Sequence, residues 1–116
     1  MTMTPRPIPL VQGIFFVTTG LWPVIHLPSF EAVTGPKVDT WLVRTIGGLI
    51  AAVGAALIAG AFEARPSRAI RILGISSSAA LGLADVIYAA RGRISKIYLA
   101  DAVAEGAIIG SWVATG

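Results

Sequence analysis

The sequence contains no cysteine. That one absence excludes thiol catalysis, disulfide exchange, iron–sulfur clusters, thiolate zinc sites and any disulfide-stapled scaffold. Charge is the second scarcity. Charged residues fill 13% of the 116 positions, against about 25% in an ordinary soluble domain. A 12.0 kDa globule has a high surface-to-volume ratio and needs more polar cover than that, not less. Histidine is the third, with a single copy at position 26, so haem and zinc ligation lack a second ligand and no cofactor is expected. What remains is apolar: 55% of residues are hydrophobic and the mean hydropathy is +0.80. This composition excludes a soluble enzyme and a disordered chain, and the length allows one domain, 1–116.

The formal charge is +3 and the isoelectric point about 10.0. The nine Lys and Arg residues stand in short clusters between apolar runs, not along one face. That pattern points to a lipid bilayer as partner, not nucleic acid.

Four apolar runs are visible, and the expected fold is all-α. It is a polytopic membrane protein with four transmembrane helices in an up-down-up-down bundle, the spans lying at about 9–27, 40–63, 68–90 and 95–113. The first run, Pro7 to Phe30, is free of formal charge and lacks a small-residue cleavage site, so it reads as a span and not as a signal peptide. Pro5, Pro7 and Pro9 sit at or before its start, while Pro23 lies inside it and should kink it. Asp39 is the expected N-cap of the second span and Ser67 of the third, after a turn at Arg65–Arg68. Arg91-Gly92-Arg93 reads as a tight basic turn, and Pro28 to Asp39 as a connection able to form a short interfacial helix.

Small residues mark candidate packing seams: Gly48, Ala52, Ala56 and Gly60 with Gly47, Ala51, Ala55 and Ala59 beside them, then Gly74, Ser78 and Gly82, then Ala102, Gly106 and Gly110. Trp22, Trp41 and Trp112 read as interfacial anchors, and Glu31, Lys37 and Glu63 as solvated loop charges. The two membrane sides carry equal cation sets, Arg6, Arg65, Arg68 and Arg71 against Lys37, Arg91, Arg93 and Lys96. Orientation is then set by something other than the positive-inside rule, or the chain inserts both ways and forms an antiparallel homodimer.

Four ionisable residues fall inside the expected spans: Arg44, Asp85, Asp101 and Glu105. Each is costly there and is a functional-site candidate by default. Asp85-x-x-Tyr88 and Tyr98-x-x-Asp101 are mirror images about Arg93. In an antiparallel hairpin the two carboxylates come level, and each Tyr shares a face with its Asp. Glu105 is deepest, about 13.5 Å beyond Lys96 along a helix axis. Arg44 is expected at the same level, with His26, Trp22 and Thr18/Thr19 near that end. Three carboxylates against one arginine cannot all be ionised in low dielectric, so the cluster is expected to hold a proton.

Such a set suits a proton- or cation-responsive cavity, a small-ligand site, or acid–base chemistry on a lipid-soluble substrate. A structural Arg44–carboxylate ion pair that fixes helix packing stands as the alternative.

Several motifs carry a resemblance: Trp22-Pro23, Ser29-Phe30 followed by Thr34-Gly35-Pro36-Lys37, Trp41-Leu42-Val43-Arg44-Thr45 with Gly47-Gly48, and the stretch from Asp85 to Glu105. Together they look like small bacterial four-helix membrane proteins of the broad DoxX-like kind, over nearly the whole chain. The resemblance implies a four-helix fold in the bacterial inner (cytoplasmic) membrane. DoxX-like proteins are associated with quinone-linked redox complexes, but no cofactor motif is present here.

Three functions are in play. One is a binding protein for a small ligand or ion, with proton-coupled transport as its extension. Another is an accessory subunit of a larger membrane complex. The third is a lipid-substrate isomerase working through paired carboxylates.

Overall fold

The computed structural model describes residues 4–65 and 67–115; Pro66, placed by the sequence in the turn before the third span, lies outside the described residues. Five α-helices follow one another: α1 (Pro7–Ile25), α2 (Leu27–Thr34), α3 (Thr40–Ala61), α4 (Arg68–Ala90) and α5 (Tyr98–Thr115). Three of them, α1, α3 and α4, are long and apolar enough to cross a membrane. The 18-residue α5 carries Asp101 and Glu105 and is not among them. Four such spans are expected from the sequence; three helices meet that length and hydropathy.

Local chemistry sets the boundaries. Helix α1 begins earlier than its expected start at 9, because Pro7 occupies the first turn, where no intrahelical N–H is needed. It ends at Ile25, and His26 then serves two helices. Its backbone N–H closes α1 on Trp22 O, while its imidazole accepts from Ser29 N at 3.3 Å to cap α2. The connection between the first two long helices is therefore mostly the eight-residue α2.

Asp39 takes the N-cap place of α3 without a side-chain hydrogen bond; its backbone carbonyl accepts from Leu42 and Val43 instead. Ser67 caps α4 through Oγ, which accepts from Ile70 N at 3.2 Å. Helix α4 closes with Arg93 N on Tyr88 O (2.9 Å) and Gly92 N on Ala89 O (3.1 Å), a Schellman motif. Gly92 has φ +70°, which glycine adopts without a Cβ penalty. Helix α5 starts later than expected, at Tyr98, because Ser95–Ile97 are spent in a turn whose carbonyls accept from residues three further on.

Helix α1 packs along α3, and α4 along α5, far more extensively than the two pairs touch each other. The α1–α3 seam is antiparallel. A Cβ on Gly54 would meet Gly13 O at 2.7 Å, and one on Gly20 would meet Ala51 N at 2.7 Å. Only glycine allows that backbone approach. The seam thus uses Gly47, Ala51 and Gly54, while Gly48, Ala52 and Ala56 of the expected stripe turn outward. Gly106 and Gly110 on α5 also face open space.

In the α4–α5 pair, Gly82 lies against Glu105 and Gly74 against Trp112. That register sets Asp85 level with Asp101. Val11, Leu49, Ile72, Leu83, Val103 and Val113 are exposed on the outside, as lipid contact requires.

Candidate functional site

The weak contact between the two helix pairs leaves space. A cavity of about 830 Å³ lies between them, lined by residues of all five helices. Its walls are largely apolar, with Phe16, Ile46, Ile50 and Leu81 among them. Its polar floor is acidic: Asp85 from α4 with Asp101 and Glu105 from α5. The three carboxyl groups are mutual neighbours.

Their surroundings differ. Asp85 is 6% exposed, and its Oδ2 is buried with no hydrogen-bond partner. Glu105 is 1% exposed, and its Oε1 accepts from Ser78 Oγ at 2.8 Å. Asp101 is half-buried on the cavity wall.

Behind Glu105 runs a buried polar chain unforeseen in the sequence reading. Gln12 and Ser78 are both 0% exposed. Trp112 Nε1 donates to Gln12 Oε1 (2.7 Å), Gln12 Nε2 donates to Ser78 Oγ (2.9 Å) and to Gly74 O (2.8 Å), and Ser78 donates onward to Glu105. An indole N–H can only donate, so Gln12 must present its oxygen to Trp112 and its NH₂ to Ser78. Donors therefore run one way, from α5 through α1 and α4 back to α5. Arg71 extends the chain, donating from its guanidinium to Trp112 O at 2.8 Å. Trp112, expected as an interfacial anchor, is 7% exposed and buried with Phe16 and Leu57 in the core.

The other end of the cavity is aromatic. Trp22, Phe30, Tyr88 and Tyr98 line it. Trp22 meets Phe30 edge-on at 5.4 Å and donates from Nε1 to Ser29 Oγ at 2.8 Å. Lys37, read as a solvated loop charge, also lines the cavity. Its Nζ sits 5.7 Å from the Phe30 ring centre and 5.1 Å from that of Tyr98, and donates to Thr34 O at 3.1 Å. Tyr98 opens α5, and Glu105 lies about 10.5 Å further along the axis, so the rim and the floor are two turns apart.

Of the residues expected to gather here, Asp85, Asp101, Glu105, Tyr88, Tyr98 and Trp22 line the cavity, and Thr19 joins them. Arg44 does not. Val43, Ile46 and Ile50 of α3 face the cavity, and Arg44 stands about 100° around the axis from Val43, exposed. His26 is exposed and is engaged with Ser29, Nδ1 to Oγ at 2.7 Å. The cation that faces this site is Lys37. A Gln inside a run without formal charge was the visible signal for Gln12, and the Thr34–Lys37 turn beside an aromatic was the signal for Lys37. Compared with protein-family models, curated proteins and solved structures, the chain matches none.

Proposed function

We propose that this chain is a polytopic protein of the bacterial inner membrane that binds a small ligand or ion in the acidic cavity and exchanges it against protons. The observation that carries the reading is Asp85. Its carboxyl is buried, borders a cavity of ligand size, and leaves Oδ2 without a partner. Ionisable groups held at membrane depth mark substrate or ion paths, and ligand cavities commonly measure about 300–1,000 Å³. Arg44 stands outside the cavity and does not clamp the carboxyls, which favours a binding role over a structural ion pair.

The reading takes α5 as a fourth span, completing an up-down-up-down bundle of the kind that DoxX-like resemblance implies. Its charge is turned inward: Glu105 is buried while Leu99, Val103 and Val113 are exposed. A lipid-facing surface of that helix is then apolar. Four spans are few for a carrier, so transport calls for a dimer of this chain.

The test uses intrinsic fluorescence, because Trp22 lines the cavity. In a Trp41→Phe background, which removes an exposed reporter, emission should change with pH. Glu105→Gln should abolish that change while helicity and elution volume stay the same. An unchanged titration in the Glu105→Gln protein overturns the reading.

A further inference from the structure

We infer that the ligand of this cavity is an organic cation with an apolar body, and that the Lys37 ammonium is its built-in competitor at the rim. The inference rests on the reading of the cavity as a ligand site.

Three observations carry it. The first is the unpartnered Oδ2 of Asp85, 6% exposed and bordering the cavity, with the Asp101 and Glu105 carboxyls beside it. A buried carboxyl oxygen without a partner is costly, and a cation placed against it removes the cost. A ligand that brings negative charge finds no cationic side chain among the floor residues Asp85, Asp101 and Glu105.

The second is the nature of the walls. Phe16, Ile46, Ile50 and Leu81 offer nothing to an inorganic ion, which needs a shell of oxygen ligands. Among the described residues no group of three His, Cys, Asp or Glu is placed to hold a metal ion. The cavity suits a charged head on a greasy body, not a bare or hydrated metal.

The third is the rim. Lys37 Nζ lies 5.7 Å from the Phe30 ring centre and 5.1 Å from that of Tyr98. Both lie within the roughly 6 Å over which an aromatic face attracts a cation. The aromatic entrance therefore already receives an ammonium group, supplied by the chain itself. Lys37 is tethered there through Thr34 O, and the Thr34–Lys37 turn lies over the α4–α5 connection, where a Cβ on Gly35 would stand 3.8 Å from Ser95 Cβ. A cationic ligand that reaches these rings must displace this group, so Lys37 lowers the cavity's affinity for cations.

Equilibrium binding to the full chain in detergent tests the assignment with three probes: benzyltriethylammonium, its uncharged carbon isostere, and phenylmethanesulfonate. The cation should bind at least about tenfold tighter than either of the others. Asp85→Asn should cost the cation about tenfold and leave the isostere unchanged, and Lys37→Met should tighten the cation severalfold. Lys37→Met alters an exterior turn and serves as the second variant should Asp85→Asn fail to fold. Equal affinity for cation and isostere, tighter binding of the sulfonate, or weaker cation binding in Lys37→Met overturns the assignment. If the isostere or the sulfonate binds in the cation's place, the cavity is still a ligand site and only the ligand class falls. If none of the three binds, both readings fall.

Discussion

The Trp112 indole donates its N–H to the side-chain oxygen of Gln12 at 2.7 Å, joining the last turns of α5 to the second turn of α1 across 100 positions of sequence. Neither residue has water to fall back on. Gln12→Leu leaves that indole N–H without an acceptor and takes a donor from Ser78 and Gly74 O. Each orphaned buried group costs about 1–3 kcal/mol. Trp112→Phe removes the donor itself, so the double variant should lose less than the two single losses added together, by about 0.5–3 kcal/mol. Unfolding of the four proteins in detergent measures this; strict additivity would show that the bond is idle.

The α1–α3 seam makes a paired prediction on one helix. Gly54→Ala puts a methyl group 2.7 Å from Gly13 O and 2.8 Å from Val17 N, backbone atoms that cannot step aside. It should destabilise the protein by about 1–3 kcal/mol. Gly48→Ala meets nothing within 4 Å and should be neutral, or stabilising by up to about 1 kcal/mol. The thermal midpoint should fall for Gly54→Ala and hold or rise for Gly48→Ala. The reverse order would place α3 the other way round.

Gly92 closes α4 at φ +70°. Gly92→Ala forces a Cβ into left-handed backbone and should cost about 1–2 kcal/mol, read as a lowered unfolding midpoint with helicity retained. Gly106→Ala, on an open helix face, is the matched control and should cost nothing.

Arg44 and Lys37 separate by position. Arg44→Gln, outside the cavity, should leave binding of benzyltriethylammonium within twofold of the parent, about 0.4 kcal/mol. A tenfold change measured by the same titration would return Arg44 to the site.

Much of this arrangement can be read from residue spacing. The mirror placement of Asp85 and Asp101 about Arg93 follows from a short connection, 91–97, between two antiparallel helices, and helical repeat puts Tyr88 and Tyr98 on the matching faces. Ser67 and Gly92 act locally, so their short-range chemistry sufficed. Long-range contacts were less accessible. Gln12 is visible as an odd amide in an apolar run, yet nothing in the run says that its partners stand 62 to 100 positions away. Trp112 near a chain end looks like an interfacial anchor until α1 is placed beside it. Arg44 lies at the right depth for the carboxyls, and depth along a helix says nothing of azimuth; one residue's rotation from Val43 turns it outward. Lys37 shows the opposite case: it looks solvated in the sequence, but α2 folds back and carries this loop cation over the rim.

The fixed polarity of the Trp112–Gln12–Ser78–Glu105 chain makes an electrical break in the molecule. A hydroxyl can take up one proton and release another, but a side-chain amide held between two fixed partners cannot do so without changing tautomer, and an indole gives up nothing. A proton on Glu105 has no relay along this chain toward Trp112. The chain of donors from Trp112 to Glu105 is thus no proton wire, and the link that interrupts it is a single glutamine.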